Sequence, residues 1–216
     1  MEQLFPGVYR HDGRLYTQNL HPGVAVYGER LRSINGSEYR SWNPYKSKLA
    51  AAIMNGLEMV PLTRGGRVLY LGAATGTTVS HVSDIVSPGM VYAVEKSEEA
   101  MRKLVALSRR RGNVVPILGD ARHPRCYIHY LDDLPDLVYQ DISQQDQVDI
   151  FLKNMACFAP PHGLLMVKAR SIDVAASPHE VFAAVRRRIE KQYDVRQQVS
   201  LSPFSLDHVA LHVSDG

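Results

Sequence analysis

A chain of 216 residues, 45% hydrophobic and 22% charged, has enough apolar surface for one sizeable core plus a small appendage. No apolar run reaches the roughly 20 residues of a spanning helix, and the opening MEQLFPGVYR lacks the shape of a signal peptide. The expectation is a cytoplasmic protein with no membrane segment. Cys126 and Cys157 make no disulfide framework, and a formal net charge of +3 is too small to drive strong nucleic-acid binding by this chain alone.

Residues 1–40 are turn-rich. Asp12-Gly13 and Asn35-Gly36 are hairpin dipeptides, and Val24 and Val26 alternate with smaller neighbours before Tyr27. This predicts a small antiparallel β domain over residues 1–42, with Trp42 and Tyr39 joining it to the rest of the chain. At Asn43-Pro44 the texture changes. Asn suits a cap and Pro a first helical turn, so YKSKLAAAIMNGL reads as a helix with Leu49, Ile53 and Leu57 on one face.

From residue 66 strands and helices alternate. RVLYLG, GMVYAVE, NVVPILGDA, DLVYQD and GLLMVKAR read as buried strands, and VRQQVSL and DHVALHVSD as a final pair with no helix between them. TTVSHVSDIV is the first intervening helix. Ser97 caps SEEAMRKLVALSRRR, with two glutamates in its first turn and Gly112 as its stop. Ser143 reads as the cap of SQQDQVDIFLKNMACFA, and Ser177, Pro178 and Glu180 open SPHEVFAAVRRRIEKQY with a capping box. The pattern predicts an α/β unit over residues 43–216: a mostly parallel, doubly wound sheet of seven strands with an antiparallel strand at one edge.

In an open parallel sheet a ligand sits beyond the carboxyl ends of the strands. The first strand delivers Gly72 to Thr78 there. The others end on Glu95, on Gly119-Asp120-Ala121, on Asp141 and on Lys168. Taken singly, each ionisable group is explained as a solvated charge at an exposed strand end. Four consecutive strand ends are not, because packing would prefer apolar residues there.

The loop itself is GAATGTT. Three residues separate Gly72 from Gly76, which fits neither G-x-G-x-x-G nor G-x-x-x-x-G-K-[ST], and the loop carries no cation for a pyrophosphate. Its small residues and the helix N-terminus behind it suit a single carboxylate, such as the methionine end of S-adenosylmethionine. Glu95, 19 residues after Gly76, stands where a carboxylate holds ribose hydroxyls, and Asp120 stands near the adenine amine.

The stretches YGERL, EYRSWNPYKSKLAAAI, VLYLGAATGTTVSHVSDIV, VYAVEKS, PILGDAR, YQDISQQDQ and VKARSID closely resemble the fibrillarin family in its compact archaeal form, over about residues 24 to 210. The resemblance implies a Rossmann-like methyltransferase fold. It also implies S-adenosylmethionine-dependent ribose 2′-O-methylation of rRNA, extending to tRNA, inside a box C/D ribonucleoprotein. The implied partners are guide RNA, substrate RNA, a Nop-type scaffold protein and a kink-turn-binding ribosomal-type protein. The Gly/Arg-rich arm of eukaryotic members is absent.

Carried over by position, the resemblance assigns cofactor contacts to Gly72, Ala73, Gly76, Thr77, Thr78, Glu95, Lys96, Asp120, Ala121, Asp141, Ile142, Ser143 and Gln144. Lys96 departs from the family, which usually has an aromatic residue after the glutamate. Weaker cofactor binding is expected, with the lysine stem as a substitute cover for the adenine. The implied catalytic set is Lys48, Asp141 and Lys168, with His208 in the fourth place. The chemistry is an in-line displacement on a sulfonium carbon, aided by a group that takes the ribose proton. A lysine serves as a base where burial and a neighbouring cation favour its neutral form, so Lys168 is the expected base, Lys48 the second cation, and Asp141 the group that orients the ammonium.

Other features read more plainly. Arg109 to Arg111 and Arg186 to Arg188 fall late in helices, where they suit solvated faces. His123, Cys126 and His129 have a loosely metal-like spacing without a fourth ligand, so no metal is expected. Two other functions stay open: a methyltransferase acting on a protein side chain or small molecule, and a binding subunit that keeps the fold without turnover.

Overall fold

The computed structural model describes residues 1–58 and 61–215. Two sheets make the frame. The first is antiparallel, with strands β1 (Glu2–Phe5), β2 (Val8–His11), β3 (Arg14–Gln18), β4 (Leu31–Ile34) and β5 (Ser37–Trp42) in the order β1-β2-β3-β5-β4. Both hairpin dipeptides turn as their chemistry requires. Asp12-Gly13 joins β2 to β3 with φ of 48° and 69°, and Asn35-Gly36 joins β4 to β5 with φ of 49° and 80°.

The second sheet has seven strands: β6 (Arg67–Leu71), β7 (Met90–Glu95), β8 (Val114–Leu118), β9 (Leu137–Gln140), β10 (His162–Lys168), β11 (Asp194–Ser200) and β12 (His208–Ser214). Their order is β11-β12-β10-β9-β6-β7-β8. Five run parallel, and the antiparallel pairing lies at one edge, where β12 runs against both β10 and the outermost β11. Helices α2 (Thr77–Val86), α3 (Glu98–Ser108), α4 (Gln147–Phe158) and α6 (Pro178–Ile189) cover the two faces, and α5 (Ala169–Ile172) is a single turn after β10.

Period-two alternation explains why these strands read as continuous apolar runs. Val68 and Tyr70 of β6 face one core, and Leu69 and Leu71 the other; Leu164 and Met166 of β10 part from Leu165 and Val167 in the same way. The first core also takes in Val8, Leu15 and Trp42, so the N-terminal sheet and the α2 face share one apolar interior. Among the described residues no helix is long and apolar enough to cross a membrane.

Four local expectations are corrected. Residues 24–27 form no strand: the buried carboxylate of Glu29 accepts from the backbone N–H groups of Val26 and Tyr27, doing for this loop what a ladder does for a strand. Asn43 does not cap a helix. Its side chain accepts from the Tyr45 N–H in a tight turn, and α1 (Lys48–Met54) starts later, capped by Ser47 Oγ on the Ala50 N–H. Ser143 is not a cap either, because α4 begins at Gln147 and leaves 141–146 as an open loop. β10 ends at Lys168, where Ala169 and Arg170 turn into α5. The caps at Ser97 and Ser177 form as expected.

Candidate active site

From the centre of the sheet the parallel strands run β6, β7, β8 in one direction and β9, β10 in the other. The reversal therefore lies between β6 and β9, where crossovers leave toward opposite faces and open a crevice. Gly72 follows β6 and Asp141 follows β9 at that point. A Cβ on Gly72 would stand 2.4 Å from the Asp141 carbonyl oxygen and 2.9 Å from Ile142 Cγ1, and its φ is +82°. The glycine is required by the close approach of the two strand ends, pinned by the Asp141 N–H donating to Leu71 O at 2.9 Å.

A cavity of about 400 Å³ opens beyond these ends, within the range of small-molecule sites. Gly72, Glu95, Lys96, Asp120, Ala121 and the 141–144 loop line it. The Glu95 carboxylate accepts from the backbone N–H groups of Ala74 and Ser97, both at 2.8 Å. Each oxygen keeps a lone pair for a hydroxyl. Asp120 is held by the Arg122 guanidinium on both oxygens, and that hydrogen-bonded cation pushes its carboxyl down to about 2. It is an acceptor at every working pH.

Four residues of the expected cofactor set lie elsewhere. Ala73 is packed into the core. A Cβ on Gly76 would meet Leu107 Cδ2 at 2.5 Å, so that glycine serves the packing of α2 on α3. The Thr78 hydroxyl is buried and donates to Ser47 Oγ at 3.0 Å. Thr77 lines a different cavity, with Lys103 and Arg110. The resemblance assigns both threonines to the cofactor, on one continuous run of chain with Gly72. The left-handed turn at Ala74, with φ of 48°, breaks that continuity.

Beside the cavity the expected reacting set converges. Lys48 Nζ stands 2.6 Å from Asp141 Oδ1. Lys168 and His208 face each other in the register of β10 and β12. His208 Nδ1 donates to Leu206 O at 2.6 Å, leaving Nε2 as an acceptor. Burial lowers the His208 pKa, and the charges of Lys48 and Lys168 push the same way against the Leu206 bond and Asp141. The imidazole is therefore neutral at pH 7. One expectation is corrected: Asp141 pairs with Lys48, not Lys168, and Lys168 has no ion pair among the described residues.

Sequence reasoning missed the residues that hold this set in place. The fully buried Gln147 accepts the Lys168 N–H at 3.0 Å, donates to Lys168 O and Gln144 O, and takes a bond from Gln140 on its own carbonyl. It ties the ends of β9 and β10 to the 141–146 loop. Its only signal was a glutamine at a buried helical position. Ser47 fixes the start of α1, and hence Lys48, against the start of α2.

A larger omission lies behind the glycine loop. Arg40 pairs with Glu29 at 2.6 Å and Asp84 at 2.7 Å, and Arg111 pairs with Asp84 at 2.6 Å, all with side chains at most 2% exposed. Arg111 is thus a buried tie, unlike the solvated Arg109 and Arg110 beside it. Nothing in a run of three arginines distinguishes the third. His81 of α2 sits beside this network, stacked on Trp42 with centroids 4.9 Å apart, between Thr17 Oγ1 at 2.8 Å and Tyr27 Oη at 2.7 Å. Trp42 joins the two sheets as expected, whereas Tyr39 packs on Tyr9 within the first sheet.

A doubly wound sheet with a carboxylate at the end of its second strand, a small-residue loop without cations and an acid at the end of its third strand defines the Rossmann-like methyltransferase class. Comparison with known proteins agrees and narrows it. The fibrillarin family model matches residues 1–215. The fibrillarin-like rRNA/tRNA 2′-O-methyltransferase of Methanothermobacter thermautotrophicus is 46% identical over 210 residues, covering 96% of this chain and 93% of that protein. The structure of Aeropyrum pernix fibrillarin in complex with S-adenosyl-L-methionine superposes with a TM-score of 0.85 at 42% identity, over 95% of this chain and 97% of that one. A fibrillarin chain from a fibrillarin/Nop5p complex gives 0.89 at 41% identity, with all of both chains covered. The chain belongs to the fibrillarin family.

Proposed function

We propose that this protein methylates ribose 2′-hydroxyls of RNA, both rRNA and tRNA, with S-adenosylmethionine as methyl donor. The observation that carries the reading is the Lys48–Asp141 pair at the rim of a cavity whose acceptors, Glu95 and Asp120, suit a ribose diol and an adenine amine, with Lys168 and His208 in register on the neighbouring strand pair. The residues fit that cofactor: Gly72, Ala74 and Ala121 leave room for it, and the glycine loop has no cation that a phosphate would need. When bound, S-adenosylmethionine supplies an electrophilic methyl group on its sulfonium.

The chain's own groups do the rest. The Lys48 ammonium, steered by Asp141, keeps N–H donors for an alkoxide developing at O2′. Lys168 takes the hydroxyl proton, and His208 Nε2 stands across the strand pair to accept a bond from it. Gln147 holds the Lys168 backbone, so the angle of approach is set by buried bonds rather than by a mobile loop. The mild net charge fits a catalytic subunit placed on RNA by others, and a related chain occurs in a complex with Nop5p. We assign to it a box C/D particle with guide RNA, a Nop-type scaffold and a kink-turn-binding protein.

The test is methyl transfer in that reconstituted particle, with the chain alone, expected to methylate poorly, as control. Lys168→Ala is expected to lower kcat by at least about 100-fold, the usual share of a positioned base, while calorimetry finds S-adenosylmethionine bound as before. Normal turnover in that variant would rule out Lys168 as the base.

A further inference from the structure

Among the described residues, five that are not glycine hold a left-handed backbone, with φ between 44° and 55°. Asp12 and Asn35 turn hairpins, Ala159 ends α4 and Ala74 breaks the glycine loop. The fifth, Asp207 with φ of 55°, stands directly before His208. Aspartate enters this region more readily than most side chains, and even so the step costs an L-residue free energy that its surroundings must supply.

The turn is tied on three sides. The Ala169 N–H donates to Asp207 O at 3.0 Å, carrying the β10–β12 ladder one step past the rung of Lys168 and His208. From the β11 side the Leu201 N–H donates to His208 O at 3.0 Å. The Asp207 carboxylate accepts from Arg170 Nε at 3.2 Å, and the same guanidinium donates to Val174 O at 3.0 Å. Arg170 lies two residues past Lys168, so this pair fastens the start of β12 to the chain that leaves β10.

The turn has a chemical consequence. In an extended strand, residues 206 and 208 would stand roughly 7 Å apart, with the carbonyl in the plane of the sheet and the ring out of it. The left-handed step at Asp207 folds Leu206 back, and His208 Nδ1 reaches Leu206 O at 2.6 Å. That bond puts the proton on Nδ1 and leaves the lone pair on Nε2.

We propose that Asp207 is a positioning residue for the methyl transfer: its left-handed turn, tied to Arg170, fixes the tautomer of His208 and so makes Nε2 the acceptor that meets Lys168. This rests on the RNA methylation reading and deepens it by one step, from the imidazole that accepts the bond to the residue that makes it an acceptor. Asp207 touches no reacting atom and acts through the ring beside it.

Two readouts separate this role from a merely structural one. The first is turnover in the assembled particle. Asp207→Val removes the tie to Arg170 and puts a β-branched side chain where φ is positive. It is expected to lower kcat roughly five- to thirty-fold, with KM for RNA and S-adenosylmethionine binding unchanged. Asp207→Asn tolerates the same turn and still accepts from Arg170, so it is expected to keep most of the turnover. In a His208→Ala background, Asp207→Val is expected to have no further effect on kcat, because the residue acts only through that ring. The second readout is nitrogen-15 NMR of the histidine rings in the full chain without RNA. The unaltered protein and Asp207→Asn are expected to show His208 as a single Nδ1–H tautomer, and Asp207→Val a mixture. An equal loss of kcat without His208, a rise in KM in place of a fall in kcat, or an unchanged tautomer in Asp207→Val would overturn the proposal. A particle that is inactive with every residue in place, or that keeps full turnover as His208→Ala, is a failure of the functional reading, and the tautomer then decides the role of Asp207 by itself.

Discussion

The buried ion network between the N-terminal sheet and α2 gives the most exposed test of the reasoning. Asp84 has a fully buried side chain and accepts four bonds: from Arg40 and Arg111, from the Thr17 hydroxyl at 2.8 Å and from the Leu20 N–H at 3.1 Å. Two guanidinium charges and two carboxylates balance there. Asp84→Asn leaves both guanidinium groups facing one remaining carboxylate, Glu29, and turns an amide NH₂ toward groups that are themselves donors. Removing one partner from a buried pair costs about 3–5 kcal/mol, because the other charge stays buried without compensation. For a domain of this size that is a fall in Tm of about 6 to 20 °C. Urea unfolding followed by circular dichroism measures it, with Asp149→Asn as reference. That change breaks the exposed Arg188–Asp149 pair, worth at most about 1 kcal/mol. If Asp84→Asn costs no more than Asp149→Asn, the network does not act as a buried charge balance and the argument fails.

Three further outcomes follow from the site and its surroundings. Gly72→Ala places a Cβ against the Asp141 carbonyl at a φ of +82°, so it is expected to displace Asp141 and cut methyl transfer about 100-fold. Gly36→Ala, with a φ of +80° and open space, is expected to cost stability only, and equal activity losses in the two would refute this account. Acid is expected to destabilise the protein. Burial lowers the His81 pKa well below 6.5 and the His212 pKa to about 4, so the unfolded chain binds protons that the native state refuses. Stability is complete above about pH 6.5 and falls below it, with His212 alone costing roughly 2 kcal/mol at pH 5 and His81 acting in the same direction, and a flat urea midpoint between pH 7 and 5 would contradict this. Lys96→Phe is expected to tighten S-adenosylmethionine binding by calorimetry, since Lys96 lines the cavity where the family usually has an aromatic; unchanged affinity would mean the lysine stem covers the adenine equally well.

Much of this was legible in one dimension, for reasons that are local. Hairpin dipeptides need only their own φ angles, and Ser97 and Ser177 need only the N–H groups three residues on, so these elements appear where their residues stand. Strand alternation made the sheet readable, and strand ends carrying Glu95, Asp120, Asp141 and Lys168 marked its working edge, because topology sends all parallel carboxyl ends to one side. Failure came where a local signal had a stronger distant competitor. Asn43 resembles a cap but satisfies its own turn, while Ser47 takes the cap within a contact to Thr78, 31 residues on.

The sequence by itself determined the class of fold, the carboxylates at the ends of the second and third parallel strands and the family, since these rest on spacing within a strand, a loop or a contiguous motif. Tertiary structure alone decided the partners. It gave Asp141 to Lys48 across 93 residues, set Lys168 opposite His208, packed Gly76 against Leu107 and bonded Thr78 to Ser47, and buried Arg111 on Asp84. A charge in a sequence has no distance to any other charge until the chain is folded, and at these sites distance decides whether a lysine is a solvated surface group or part of the chemistry.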